Sequence, residues 1–279
     1  MIKKALVCLE GSPSSDAAIS TGIAIASDFN AKLVGLAIVD EPDIRAGAAT
    51  GIGGASYKIE RDDALVAEAR TRAADALALF ERRCREAQIQ AQSLEVVGRP
   101  AVSILHEMEA CDLTVMGRDA NFRFEIERDD TATREEILHR ATRPVLLVPE
   151  GAKGPLGHKV VVAYDGSRAA KRAIASFAAS GLAQSRNIHV ATVDDNGAQA
   201  WEMATVGVKL FADAGIAAET HNIVSAQSSL DALFAFAKEM RADLMVMGAF
   251  AHSRLAHLFH RSVTRGLVER TTIPLYLQH

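Results

Sequence analysis

The sequence predicts an α/β protein built twice over, as two tandem three-layer α/β/α sandwiches, each around a five-stranded parallel sheet of order 3-2-1-4-5. Two repeats and one rhythm carry this reading. Ala5-Leu6-Val7-Cys8-Leu9-Glu10-Gly11-Ser12 returns as Val160-Val161-Val162-Ala163-Tyr164-Asp165-Gly166-Ser167. Asp112-Leu113-Thr114-Val115-Met116-Gly117 returns as Asp243-Leu244-Met245-Val246-Met247-Gly248. Between them, short runs of Val, Leu and Ile alternate with longer Ala-rich amphipathic stretches, the signature of parallel strands joined by crossover helices. A repeat of this length is a whole domain rather than a solenoid unit. Strands that are apolar throughout need cover on both faces, hence the three layers.

In the first copy the strands are expected at 2–9, 32–39, 91–97, 112–116 and 144–148. The second should place them at 159–164, 187–193, 217–224, 243–247 and 273–278. Helices fill the intervals. The clearest spans 57–88, with an apolar stripe of Leu65, Ala69, Arg72, Ala76, Leu79 and Phe80 edged by charge. Ser14 and Ser167 are expected to cap the helices that follow the first strands. Asp40–Ser56 should form an elaborated loop, and its glycines Gly47, Gly51, Gly53 and Gly54 suit a mobile lid. They do not directly follow a strand, so they lack the setting of a dinucleotide fingerprint.

Pro149-Glu150-Gly151-Ala152-Lys153-Gly154-Pro155-Leu156-Gly157 breaks all periodicity and divides the chain into domains 1–149 and 158–279. The 279 residues suit two domains of about 140 residues each. A net charge of −4 gives no general attraction to nucleic acid or an anionic membrane. Nor is there a run of about 18 apolar residues or a leader-like start. Cys8 and Cys111 sit in apolar strand-like runs and Cys84 in a helical one; with no pairing pattern they are expected to be reduced core thiols of a cytoplasmic protein.

Ligands of open parallel sheets bind beyond the carboxyl ends of the strands, where strand order switches direction. Asp165-Gly166-Ser167 ends the first strand of the second copy and Gly248 ends its fourth. An acid there can accept from an adenine amino group or a ribose hydroxyl, and a following helix start offers amides to phosphate. These residues make the chain resemble a tandem universal stress protein, of the adenine nucleotide alpha-hydrolase-like superfamily, over almost its whole length. In the nucleotide-binding branch the fourth strand runs into Gly-x-x-Gly, nine residues, then Gly-Ser or Gly-Thr. The second copy reads Gly248-Ala249-Phe250-Ala251, then His252 to His260, then Arg261-Ser262. Spacing is kept, but Ala251 and Arg261 replace two glycines.

The resemblance implies a site of Asp165, Gly166, Ser167 and the backbone near Val193 for adenine and ribose. Gly248, His252, Ser253, Arg261, Ser262 and Val263 would face the phosphates of ATP, ADP or AMP. Arg261 would either pair with phosphate or close the pocket to it. The first copy has Glu10 for the acid, and Arg118 to Asp130 carries neither later glycine, so it is degenerate for nucleotide.

No catalytic set emerges, neither a Gly-x-Ser-x-Gly elbow nor a phosphate loop with Gly-Lys-Ser/Thr, so any ATPase activity should be weak. His252, His257 and His260 crowd one segment without a cysteine or carboxylate at ligand spacing, and no metal site is expected. Arg254, His257, His260, Arg261 and Arg265 are expected to form a basic patch suited to phosphate or an acidic partner rather than a DNA duplex. The implied function is a cytoplasmic stress-response protein acting through ligand binding and protein partners, without fast catalysis. Two alternatives stand beside it: an ATP-binding switch with slow hydrolysis, and a nucleotide-free scaffold for another small anion or metabolite. The last strands, 144–148 and 273–278, should pair the copies as an intrachain pseudo-dimer, with a homodimer open as a further level.

Overall fold

A computed structural model describes all residues except 47–54, 123–130, 153–155, 226–228, 250–265 and 267. The first half runs β1 (Lys4–Leu9), α1 (Pro13–Phe29), β2 (Lys32–Val39), α2 (Glu41–Ala46), α3 (Ala55–Glu86), β3 (Ala91–Val97), α4 (Pro100–Met108), β4 (Leu113–Gly117), α5 (Thr131–Arg140) and β5 (Val145–Val148). The second runs β6 (Lys159–Ala163), α6 (Arg168–Ser180), β7 (Asn187–Asp194), α7 (Gly197–Ala212), β8 (Ala218–Val224), α8 (Ser229–Glu239), β9 (Leu244–Gly248) and β10 (Leu275–Gln278). Every expected strand is present, with ends shifted by a residue or two.

The described strands form one ten-stranded sheet in the order β3-β2-β1-β4-β5-β10-β9-β6-β7-β8. Each half therefore has the expected order. The two sheets are not separate, however, because β5 and β10 pair antiparallel, Leu146 opposite Tyr276. Pairing removes two exposed strand edges at once. It also makes every strand of one half run opposite to those of the other, so their carboxyl ends open on opposite borders of the sheet.

Side-chain alternation divides the core in two. On one face Val7, Leu33, Leu146, Val160, Tyr164, Val190 and Tyr276 pack with α1, α3, α6 and α7. On the other, Leu6, Leu36, Met116, Leu147, Val161 and Met245 pack with α4, α5 and α8. Both cores run across the junction. Cys8, Cys84 and Cys111 are free and buried in them. Desolvation holds the Cys84 thiol up at about 11 and raises Cys8 and Cys111 as well, so all three remain protonated and inert.

Three local expectations need correction. The cap of α1 is Ser12, whose side chain accepts from the Ser15 amide, while Ser14 lies inside the helix. Pro13 fixes this boundary, since proline is tolerated in a first helical turn and Ser12 is the residue before it. The stretch after Asp40 is not simply loop, because α2 occupies its first part; the four glycines of the expected lid lie outside the described residues. The inward stripe of α3 is Asp62, Val66, Ala69, Ala73, Ala76, Phe80 and Cys84, at spacings of three and four. Arg72 is exposed, and Leu65 and Leu79 flank the stripe.

Candidate functional site

Both first strands end in the same construction. Gly166 and Gly11 turn the chain with φ of +73° and +82°, a conformation open to glycine and costly to other residues. Asp165 Oδ1 then accepts from the Ser167 amide at 2.9 Å. Ser167 Oγ in turn accepts from the Ala170 amide at 3.1 Å and caps α6. In the first half Glu10 accepts from the Ser12 amide at 3.3 Å and also from the Ser12 hydroxyl. Its extra methylene lets it reach both. Burial raises the Glu10 pKa; hydrogen bonds from Ser12 and the Asn121 backbone oppose this, and Asp119 adds to it. The first-half acid is thus tied into its own turn.

The second half opens a cleft of about 480 Å³ beyond the ends of β6 and β7, lined by Tyr164, Gly166, Lys171, Asp194, Gln199, Glu202, Met203 and Val206. Helices α6 and α7 form its walls. Gly207 lets α7 close over the Tyr164 ring: a β-carbon there would lie 3.1 Å from that ring and 2.8 Å from Val190. Met203 borders Gly166, its sulfur 3.5 Å from where a side chain would begin. Asp194 is buried and accepts from the Asn196 amide at 2.8 Å, which holds its carboxylate at the strand end. Tyr164 is fully buried, and its hydroxyl meets no hydrogen-bonding partner among the described residues. Burial pushes that hydroxyl's pKa up and the neighbouring Asp165 carboxylate adds to the effect, so it remains a donor at neutral pH.

Of the residues expected to bind ligand, Gly166 lines the cleft. Asp165 is buried next to it but is not among the lining residues. Val193 packs into the core face of α8, and it is the following residue, Asp194, that reaches the cleft. Gly248 plays a packing part: a β-carbon on it would lie 2.5 Å from the Ala169 and Ala170 backbone. Gly117 does the same in the first half, 2.9 Å from the Ser14 carbonyl carbon. A glycine at this point of the repeat is therefore required for helix α1 or α6 to pack on the sheet, whether or not phosphate binds. His252, Ser253, Arg261, Ser262 and Val263 lie outside the described residues, as do His257 and His260.

Tyr164, Lys171, Asp194, Gln199, Glu202 and Met203 were not singled out from the sequence. Asp194-Asp195, directly after an apolar run, was the one legible signal. Tyr164 directly follows β6, while Lys171, Gln199, Glu202 and Met203 lie at ordinary helical positions and become neighbours only when α6 and α7 meet.

The sequence profile of the Universal stress protein family matches residues 1–149 and 157–278. A universal stress protein of Synechocystis is 29% identical over 146 residues, which are 52% of this chain and 50% of that protein. The chain thus spans about half the length of this curated relative. Among solved structures, a universal stress protein from Archaeoglobus fulgidus superposes with a TM-score of 0.70 at 20% identity, covering 99% of this chain and 95% of that one. A functionally unknown protein from Pseudomonas aeruginosa gives 0.58 at 14% identity, covering 99% and 92%. These likenesses show the fold, and the profile match over both halves shows the lineage: the chain belongs to the universal stress protein family.

Proposed function

We propose that this protein is a cytoplasmic stress-response protein that binds a small polar ligand, an adenine nucleoside or nucleotide above all, in the cleft of its second half. It then acts on protein partners without fast catalysis. The observation that carries this reading is the cleft-lining Tyr164, whose buried hydroxyl has no partner among the described residues. A buried donor left unsatisfied costs roughly 1–3 kcal/mol, and a ligand acceptor would recover that loss. Asp194 and Glu202 supply acceptors for amino or hydroxyl groups, and Met203 and Val206 supply apolar surface for a base. Lys171 is the lining cation, suited to one phosphate. With two carboxylates against one ammonium, the lining favours a nucleoside or monophosphate over a triphosphate.

The test is calorimetric titration of adenosine, AMP and ATP into the wild type and Tyr164→Phe, with mass analysis of any ligand that copurifies. Tyr164→Phe should weaken binding by about 0.5–1.5 kcal/mol. Its unfolding free energy should be unchanged or higher, because the variant deletes an orphaned hydroxyl. Equal affinity of the two proteins would refute the site. Preference for ATP would move the reading to the ATP-binding switch. The nucleotide-free scaffold is supported by Gly248, for which packing alone accounts, and it would lead if none of the three compounds bound.

A further inference from the structure

Away from the cleft, on the outer strand pair of the second half, three side chains meet whose chemistry the proposed function does not use. His189 on β7 lies opposite Glu219 on β8, and Ala191 lies opposite His221. Residues two apart on a strand share a face, so His189, Glu219 and His221 stand together on one side of the sheet. His189 Nδ1 is 3.0 Å from His221 Nε2 and 3.3 Å from Glu219 Oε2, and His221 Nε2 is 3.6 Å from the same oxygen. One atom from each residue therefore makes a nearly regular triangle.

Tetrahedral zinc, with Zn–N and Zn–O bonds of about 2.0–2.2 Å, sets its ligand atoms about 3.3–3.6 Å apart. Two edges of the triangle fall in this range, and the third needs to widen by a few tenths of an ångström. The three ligands are graded in exposure: His189 is buried, His221 is partly covered, and Glu219 is open to solvent. The Phe236 ring packs against the His221 ring with centroids 5.1 Å apart and fixes its orientation. Strand β8 is the edge of the sheet, so an ion has a direct path from solvent.

We infer that His189, Glu219 and His221 form a divalent transition-metal site, for zinc or an ion of similar preference, with a fourth position left to water or an incoming group. Two imidazoles and one carboxylate are a borderline donor set that suits such ions better than calcium or magnesium, which favour oxygen ligands. Without metal, a hydrogen on one of the two facing ring nitrogens makes the 3.0 Å contact a hydrogen bond. Coordination needs both lone pairs, so that hydrogen moves to the other nitrogen of its own ring. The ion then adds to two neutral imidazoles and one carboxylate, and the site acquires net positive charge. In a family fold read for nucleotides this gives the second half a separate inorganic ligand.

The experiment uses the full-length chain, stripped with chelator and carrying alanine at positions 252, 257 and 260 in place of histidine, so that the other histidine-rich segment cannot bind. Zinc is titrated by calorimetry, and cobalt(II) is titrated by visible absorption. One ion per chain and the intense d–d bands of a four-coordinate cobalt are expected. Glu219→Gln, at an exposed edge position, keeps the fold and should weaken binding at least about tenfold, the loss usual for even an outer partner of a metal ligand. His221→Ala should remove the cobalt bands. Zinc should raise the melting temperature of the parent and not that of His221→Ala. If the parent binds no zinc, or binds it equally with Glu219→Gln and His221→Ala, the triad is a cross-strand hydrogen-bond cluster and the proposal fails.

Discussion

Glu10 and Asp165 occupy the same step of the repeat and differ by one methylene, yet that difference sets their bonding. The shorter acid accepts from one backbone amide two residues on, whereas the longer one also holds the Ser12 hydroxyl. Desolvation raises the folded-state pKa of Glu10 above its ordinary 4.5. Below that ordinary value the carboxyl is protonated in both states. As pH rises, the unfolded chain gives up its proton first, so the residue's contribution to stability is lost as pH climbs toward the raised folded value. Glu10→Gln, which cannot ionise, should therefore gain on the wild type in urea melts as pH goes from 4 to 7. A constant difference across that range would show that Glu10 is not strained by burial.

At the scale of elements, one contact decides how the first helix of each half sits on its sheet. Helix α6 approaches β9 so closely that Gly248 has no room for a β-carbon, and α1 does the same over Gly117 in β4. Over Gly248 the nearest atoms are α6 backbone, which cannot swing aside as a flexible side chain can, and over Gly117 they are the Ser14 side chain and carbonyl carbon. Gly248→Ala should destabilise by about 1–3 kcal/mol, the usual cost of overpacking, and Gly117→Ala by a similar amount. Equilibrium unfolding of both variants without ligand checks this. A loss seen for Gly248→Ala only when nucleotide is present would return that glycine to the phosphate-binding role that the motif suggested.

At the scale of the whole molecule, the junction between the halves is made of core rather than loop. Tyr276 on β10 is fully buried, packs edge-on against Phe177 at 5.2 Å, and bonds Ser176 through its hydroxyl at 2.6 Å. The N-terminal amine reaches the Ala179 carbonyl at 2.6 Å, and the Ile2 amide reaches that of Ser180 at 3.0 Å. Arg118 of the first half likewise donates to the Thr271 carbonyl of the second at 2.5 Å. Leu146, opposite Tyr276, belongs to a core that holds residues of both halves. Leu146→Ala should cost about 2–5 kcal/mol. The chain's one tryptophan, Trp201, lies in α7 of the other half. Its fluorescence melt and the circular-dichroism melt should therefore shift together. A Trp201 transition left unmoved would mean that the halves unfold separately.

The repeat, the strands and their order were determined by the sequence alone, because apolar runs, turn residues and right-handed crossovers are local rules that each half obeys independently. Pairing of the last strands was legible for the same reason, since two exposed edges of equal character favour each other. Tertiary structure decided the rest. Which face of α3 turned inward depended on the sheet beneath it, whereas the cap at Ser12 follows from Pro13 and was open to a local reading. The cleft residues lie in the turn after β6, on α6, at the end of β7 and on α7, so neither composition nor spacing could bring Tyr164 to Lys171 and Glu202. His189 and His221 are likewise 32 positions apart, and only the β7–β8 register sets them side by side. The sequence drew attention instead to His252, His257 and His260, which lie outside the described residues. Sequence proximity reports what one element can do; chemistry between elements waits on their packing.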